Sequence, residues 1–414
     1  MRHSGGVTDA NVIADLSGPD PFPTLRQLRE DQPVRRLDMP DGARVWLVSR
    51  YEDARQALGD PRLSKRQVPR GNLPSNAGSP IGHHMLNADP PDHTRLRRLV
   101  SAGFTARRVD RLEPRIATIT AGLLDDMAGR TEVDLVDAFA FPLPIQVICE
   151  LLGIPVADQD LFRTWSNTIV SGGLIADPAR VEQVRAAIGQ LVGYIRNLLV
   201  DKRSRPADDL LSALLDVRED TDRLTEDELV SMVFLMLIAG HETTVNLIAN
   251  GVYLLLTHPD QLEKVRADPA LLPGAVEEFL RYESPVQTST FRVTTEPVVY
   301  AGVEIPAGEP VLISLLAANR DDKVFTDADR LNVARRDGAD GRSASSRAGH
   351  IAFGYGIHFC LGAALARLEG RIAIGALLAR FPNLRLAAPV EELQWRPGML
   401  IRGLAELPVR YDPV

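Results

Sequence analysis

Between about residues 95 and 280 the apolar positions recur three and four apart, the spacing of amphipathic helices. The longest such run covers residues 225–257. It opens on Thr225-Glu-Asp-Glu228, a capping box that satisfies orphan amides at a helix start. It stops at His258-Pro259, because proline disfavours helix at the residue before it. A helix of that length reaches about 50 Å, enough to cross a core. It is apolar through Met232 to Ile238 and then turns polar at Ala239-Gly-His-Glu-Thr-Thr244. Polar groups in a buried helix are costly unless paired, so this cluster calls for a reason. Residues 22–30 read as another helix. Residues 45–49 read as a strand, and residues 286–314 as short strands broken by proline and glycine, with Tyr300-Ala-Gly-Val303 a turn. Residues 65–82 and 336–348 are irregular loops, and a last helix runs from near Cys360 to about Arg380. The pattern predicts a mainly α fold with small β-sheets. There is no internal repeat and no linker, so residues 1–414 are expected to form one domain.

Composition narrows the picture. Apolar residues make up 45% and charged residues 25% of 414, ordinary for a globular chain. A net charge of -8 argues against non-specific binding to nucleic acid or to anionic lipid. The first twenty residues hold neither a signal-peptide core nor a membrane span, so a cytoplasmic location is expected.

Two cysteines exclude a disulfide framework and a cysteine-rich zinc site. Cys149, inside Ile145-Gln-Val-Ile-Cys-Glu-Leu-Leu152, reads as a small buried hydrophobe. Cys360 differs. It lies in Phe353-Gly-Tyr-Gly-Ile-His-Phe-Cys-Leu-Gly362, where Gly354 and Gly356 permit positive φ and Gly362 lets the backbone approach a flat partner. The thiol falls where loop gives way to helix, and helix N-terminal amides favour a thiolate. Other readings of glycine-rich and histidine-rich motifs fail on single positions. A dinucleotide fingerprint needs glycine at Phe359, and a zinc-protease motif needs histidine at Val245.

Through that segment the chain closely resembles the cytochrome P450 family from about Asp20 to its end. Four motifs carry the resemblance. They are the cysteine loop, Glu278-Phe-Leu-Arg281, Ala239-Gly-His-Glu-Thr243, and Asp89-Pro-Pro-Asp-His-Thr-Arg-Leu-Arg97. The resemblance implies a haem b lying between the long central helix and the helix after the cysteine loop. Cys360 would be the iron ligand, as thiolate ligation is in this family. Phe353, Gly354 and Gly362 would border the haem. Ala239 and Gly240 would line its distal face, with Gly240 leaving room for oxygen, and Glu242 and Thr243 would manage protons. His93 and Arg97, four apart on one helix face, would bind a propionate, as would Arg292 and His358. Glu278 and Arg281, three apart on one face, would join Arg335. Asp322 and Ala328 stand where the family usually has proline, and Asn332 where aspartate is common, so the meander before the cysteine loop departs from the pattern.

The resemblance further implies insertion of one oxygen atom from O2 into a large apolar secondary metabolite of the macrolide or polyketide kind, by hydroxylation or epoxidation. Nothing in the chain resembles a flavin or iron–sulfur domain. Electrons from NAD(P)H would therefore arrive through a separate ferredoxin reductase and ferredoxin. Arg95, Arg97, Arg98, Arg107, Arg108 and Arg111 offer either a basic docking face for ferredoxin or ordinary solvated charges. Candidate substrate contacts are Met85, Leu174, Leu235, Val286, Thr288, Met399 and Leu400, mainly apolar as a large uncharged ligand requires. Met85 and Met399 read equally well as core. The chain is expected to be a monomer. A peroxide-driven peroxygenase is a competing reading, weakened by the acid–alcohol pair Glu242-Thr243. A haem carrier or sensor is another, and it would need no proton relay.

Overall fold

Thr225 caps the longest helix, Glu226–Thr257, as the capping box predicts. Its N–H donates to Glu228 Oε2 at 2.8 Å, and its hydroxyl accepts the Glu228 N–H at 3.3 Å. The computed structural model describes residues 9–39, 42–66, 81–104, 106–171, 178–216, 222–335 and 349–412. Most of both predicted loops, and Leu174, lie outside the described residues. The chain forms two compact units, each assembled from three stretches of sequence.

The helical unit comprises Ser75–Thr257, Leu361–Glu392 and Glu406–Val414. Helix Glu226–Thr257 is its axis. It packs against Pro142–Leu152, Pro178–Ser204 and Ala363–Arg380, and the last of these also packs on Ala106–Ala128. The central helix is long and apolar enough to cross a membrane, but 67% of its most apolar stretch is buried in protein, which makes it a core helix. The unit also holds a three-stranded antiparallel sheet, with Pro408–Arg410 between Glu132–Asp134 and Arg385–Leu386.

The second unit comprises Met1–Pro74, His258–Cys360 and Leu393–Ala405. Its five-stranded sheet runs Val34–Asp38, Arg44–Val48, Pro310–Ile313, Arg292–Thr294, Leu63–Ser64. Only the pairing of Arg44–Val48 with Pro310–Ile313 is parallel, with Trp46 opposite Val311. Alternate side chains point to opposite faces of a strand. Val48, Val311 and Ile313 accordingly enter one apolar cluster with Tyr51, Tyr300 and Phe325. Their neighbours Leu47 and Leu312 enter another with Val12, Leu16, Leu25 and Leu37. The sheet is thus apolar on both faces, which explains why its strands read as short unbroken apolar runs. The predicted turn joins strands Val298–Tyr300 and Val303–Ile305. Ala301 and Gly302 both have positive φ (49° and 76°), the two-residue turn whose twist suits a hairpin.

Candidate active site

The cysteine loop is a small hydrogen-bonded structure. Gly354 N–H donates to Ile351 O at 2.9 Å, Phe359 N–H to Gly356 O at 3.1 Å, and Cys360 N–H to Phe353 O at 2.9 Å. Gly354 and Gly356 have φ of 76° and 74°, as the motif demands. A Cβ on Gly356 would also lie 3.2 Å from Gly59 Cα and Leu58 O, so the loop rests directly on the end of helix Tyr51–Gly59. Gly356→Ala therefore meets both strain and backbone. It is expected to cost about 1–3 kcal/mol and to lower the melting temperature. Gly122 on helix Ala106–Ala128 faces open space. Gly122→Ala should raise the melting temperature slightly, by restricting the unfolded chain.

Cys360 is exposed at the end of this loop, and His358 beside it is half-buried. The following helix is Ala363–Arg380, with Gly362 at its N-cap, so the thiol precedes the first turn by three residues. Cys149 contrasts on every count: it is wholly buried, and burial pushes its thiol up to about 12. One cysteine is a core residue and the other is presented.

In the same unit as the loop, Glu278 and Arg281 of helix Leu272–Tyr282 meet Arg335 in the expected cluster. Arg281 donates to both carboxylate oxygens of Glu278, at 2.7 and 2.9 Å. Arg335 Nε donates to the same carboxylate at 3.0 Å, and the Asn332 N–H at 2.9 Å. Both guanidinium groups then spread to backbone carbonyls. Arg281 reaches Asn319 O and Ala328 O, and Arg335 reaches Thr326 O, Asp327 O and Arg330 O. The departures from the family pattern at Asp322, Ala328 and Asn332 leave the cluster whole; Asn332 and Ala328 serve it through backbone atoms.

In the helical unit, the polar cluster of the central helix is resolved atom by atom. His241 is buried, with Nδ1 2.6 Å from Leu237 O and Nε2 3.1 Å from Ser166 Oγ, and its ring stands edge-on to Phe141. Glu242 is buried, with Oε1 3.7 Å from the same imidazole. Thr243 donates to Ala239 O at 3.0 Å, and Asn246 to Glu242 O at 2.8 Å. Through the middle of this mostly buried helix Leu235, Ile238, Gly240 and Thr243 are half-buried and Ala239 exposed, with Leu235, Ala239 and Thr243 in a stripe at four-residue spacing. Gly240 lies beside the stripe. A Cβ there would come within 3.2 Å of Ile148, so the glycine lets helix Pro142–Leu152 approach closely.

The remaining candidates divide between the units. His93 and Arg97 share helix Asp92–Gly103; His93 is buried and Arg97 half-buried. Burial, and then the charge of Arg97, hold the His93 imidazole below its usual range. Arg292 is buried at the start of its strand. Three of the arginines proposed as a basic face are occupied with acids: Arg95 with Asp222 and Glu228, and Arg108 and Arg111 with Asp208. Among the substrate candidates, Met85 and Val286 are half-buried and Leu400 exposed. Thr288 and Met399 are packing residues. Met399 is 4% exposed within an apolar cluster, and the Thr288 hydroxyl is spent on its carbonyl at 2.7 Å. Several buried acids escaped the sequence reading, Glu277 and Glu369 among them. Glu277 pairs with His350, and burial raises Glu369, on Ala363–Arg380, well above the ordinary carboxyl range. The doublet Glu277-Glu278 was the available signal for the first.

Comparison with known proteins places the chain. The family described as Cytochrome P450 matches residues 178–386. Cytochrome P450 107B1 of Saccharopolyspora erythraea is 51% identical over 98% of this chain and 99% of its own length. The 6-deoxyerythronolide B hydroxylase of the same organism is 46% identical over 98% and 100%. The tirandamycin C-bound structure of the P450 monooxygenase TamI superposes with a TM-score of 0.84, at 46% identity over 95% of this chain and 98% of that one. The chain belongs to the cytochrome P450 family, and with it to the oxidoreductases that use haem iron and O2.

The residues present fit a haem. An exposed thiol sits at the end of a loop that also exposes the apolar side chains Ile357 and Phe359, the kind of surface a flat apolar ring covers, with half-buried His358 beside it.

Proposed function

We propose that the whole chain acts as one haem-thiolate monooxygenase that inserts one oxygen atom from O2 into a large apolar secondary metabolite of the polyketide kind. The observation that carries this reading is the presentation of Cys360. Its backbone is pinned to Phe353 O while its side chain is exposed, and the other cysteine is wholly buried. Bound haem supplies oxygen activation, helped by electron donation from a thiolate ligand. His93, Arg97, Arg292 and His358 would hold the propionates, and Phe353, Gly354 and Gly362 would border the ring.

On the central helix, the Thr243 hydroxyl is held by Ala239 O and can turn to donate elsewhere, while the Glu242 carboxyl supplies protons to it. The stripe Leu235, Ala239 and Thr243 supports an apolar substrate contact ending in a hydroxyl. Electrons would come from NAD(P)H through a ferredoxin reductase and ferredoxin. The relatives' names support a polyketide-type substrate, since one acts on 6-deoxyerythronolide B and another binds tirandamycin C.

Proton supply gives the test. Positioned acid–base groups contribute about 10²–10⁴-fold. Glu242→Gln and Thr243→Ala should each cut product formed per NAD(P)H by at least about tenfold, while leaving haem content unchanged. Unaltered coupling in both variants contradicts the proton roles. A substrate screen read by the ferric spin-state shift tests the polyketide reading; a response confined to small polar compounds contradicts it.

A further inference from the structure

The two neighbouring glutamates of helix Leu272–Tyr282 have different tasks. Glu278 gathers arginines. Glu277 Oε2 lies 3.1 Å from His350 Nε2, and both side chains are buried, 7% and 3% exposed. On the other side of the ring, His350 Nδ1 accepts the Ala352 N–H at 3.2 Å. A ring nitrogen that accepts a backbone N–H carries no proton of its own. The imidazole proton is therefore assigned to Nε2, which donates it to the Glu277 carboxylate. The preceding amide is held in parallel. Ile351 N–H donates to Asn319 Oδ1 at 2.8 Å, and Asn319 Nδ2 donates to Ser284 Oγ at 2.9 Å. Asn319 O in turn accepts from Arg281 at 2.9 Å.

Two peptides at the base of the cysteine loop, 351 and 352, are thus fixed by side chains anchored to helix Leu272–Tyr282 or to Ser284 just beyond it. From this base the loop continues by its own bonds. Gly354 N–H reaches back to Ile351 O, and Cys360 N–H to Phe353 O. We infer that Glu277 and His350 are positioning residues for Cys360: the carboxylate–imidazole–amide relay sets the direction of the Ala352 peptide at the base of the loop and thereby holds the sulfur in place.

A carboxylate on Nε2 enriches the opposite nitrogen, so the bond to Ala352 is stronger than a neutral imidazole would give alone. Partners beyond a metal's direct ligands commonly act this way, and losing one typically costs about 10–100-fold in metal affinity or activity. The inference rests on the haem-thiolate reading above. It differs from plain packing, because packing needs only shape whereas the relay needs an acceptor and a donor on one side chain.

The experiment uses purified holoprotein of the wild type, His350→Phe, His350→Gln, Glu277→Leu and Glu277→Gln. Each is reduced, bound to carbon monoxide, and followed at mild temperature by its Soret band; haem content is measured alongside. His350→Phe and Glu277→Leu should lose the thiolate-type band at least about tenfold faster than wild type. Glutamine at 350 has both an acceptor and a donor and should restore most of the lifetime. If His350→Phe or Glu277→Leu yields no holoprotein, Glu277→Gln keeps the test open. It retains an acceptor oxygen but no charge, and should accelerate the loss by a smaller factor.

Unchanged lifetimes in every variant, or a His350→Gln protein that decays as fast as His350→Phe, overturn the inference. A wild type without the thiolate-type band overturns the haem-thiolate reading itself, so the two failures are distinguishable.

Discussion

Cys360→Ala should abolish monooxygenation while leaving the fold standing. On the haem-thiolate reading, the substitution removes the thiolate that would ligate iron and donate electron density to it. Product formation is expected to fall by at least about a hundredfold, no less than the upper range for a lost outer partner of a metal. The fold should survive because little packing is lost. The side chain is exposed, and the backbone bond from Cys360 N–H to Phe353 O, which helps shape the loop, is kept by alanine. Exposed substitutions of this kind usually change stability by about 0.5 kcal/mol or less. The check is product yield beside the melting curve of the haem-free protein. Retained turnover, or a collapsed melting curve, contradicts the separation of chemistry from fold at this position.

Glu278→Ala should do the reverse and remove the folded protein. Its carboxylate accepts two bonds from Arg281, one from Arg335 and one from the Asn332 amide, and both arginines are buried. Deleting it strands two cations in the interior. Breaking a buried pair in this way costs about 3–5 kcal/mol, against a total stability of about 5–15 kcal/mol for a typical protein. The expected outcome is a melting temperature lowered by about 10 °C or more, with most of the chain recovered insoluble. A soluble variant melting within a few degrees of wild type would show that the cluster is ornamental.

What could be read from the sequence was what local rules determine. The capping box at Thr225, the stop at Pro259, the hairpin turn at Ala301-Gly302 and the glycines of the cysteine loop each depend on a few adjacent residues, and each formed as expected. The Glu278, Arg281 and Arg335 cluster needed the family resemblance, because Arg335 is far along the chain and its partner is fixed only by the fold. Elements stabilised wholly by distant contacts were missed. Helix Asp9–Leu16 is short and marginal alone, and it exists because Val12 and Leu16 bury themselves against the sheet. The parallel pairing of Trp46 with Val311 joins strands separated by most of the chain. Substrate candidates fared unevenly for the same reason. An apolar residue reads alike whether it lines a cavity or fills a core, and Met399 proved to fill one. His350 was invisible because a buried histidine acquires its meaning from the acid opposite it, and Glu277 lies seventy-three positions away.

The central claim is that the sulfur of Cys360 is bonded to haem iron. The most direct test is the Soret band of the purified, reduced, carbon-monoxide-bound protein. The expected result is the strongly red-shifted band of a thiolate-ligated haem, present in the wild type and absent in Cys360→Ala. A wild type that binds no haem, or a Cys360→Ala protein that keeps the thiolate-type band, would contradict it.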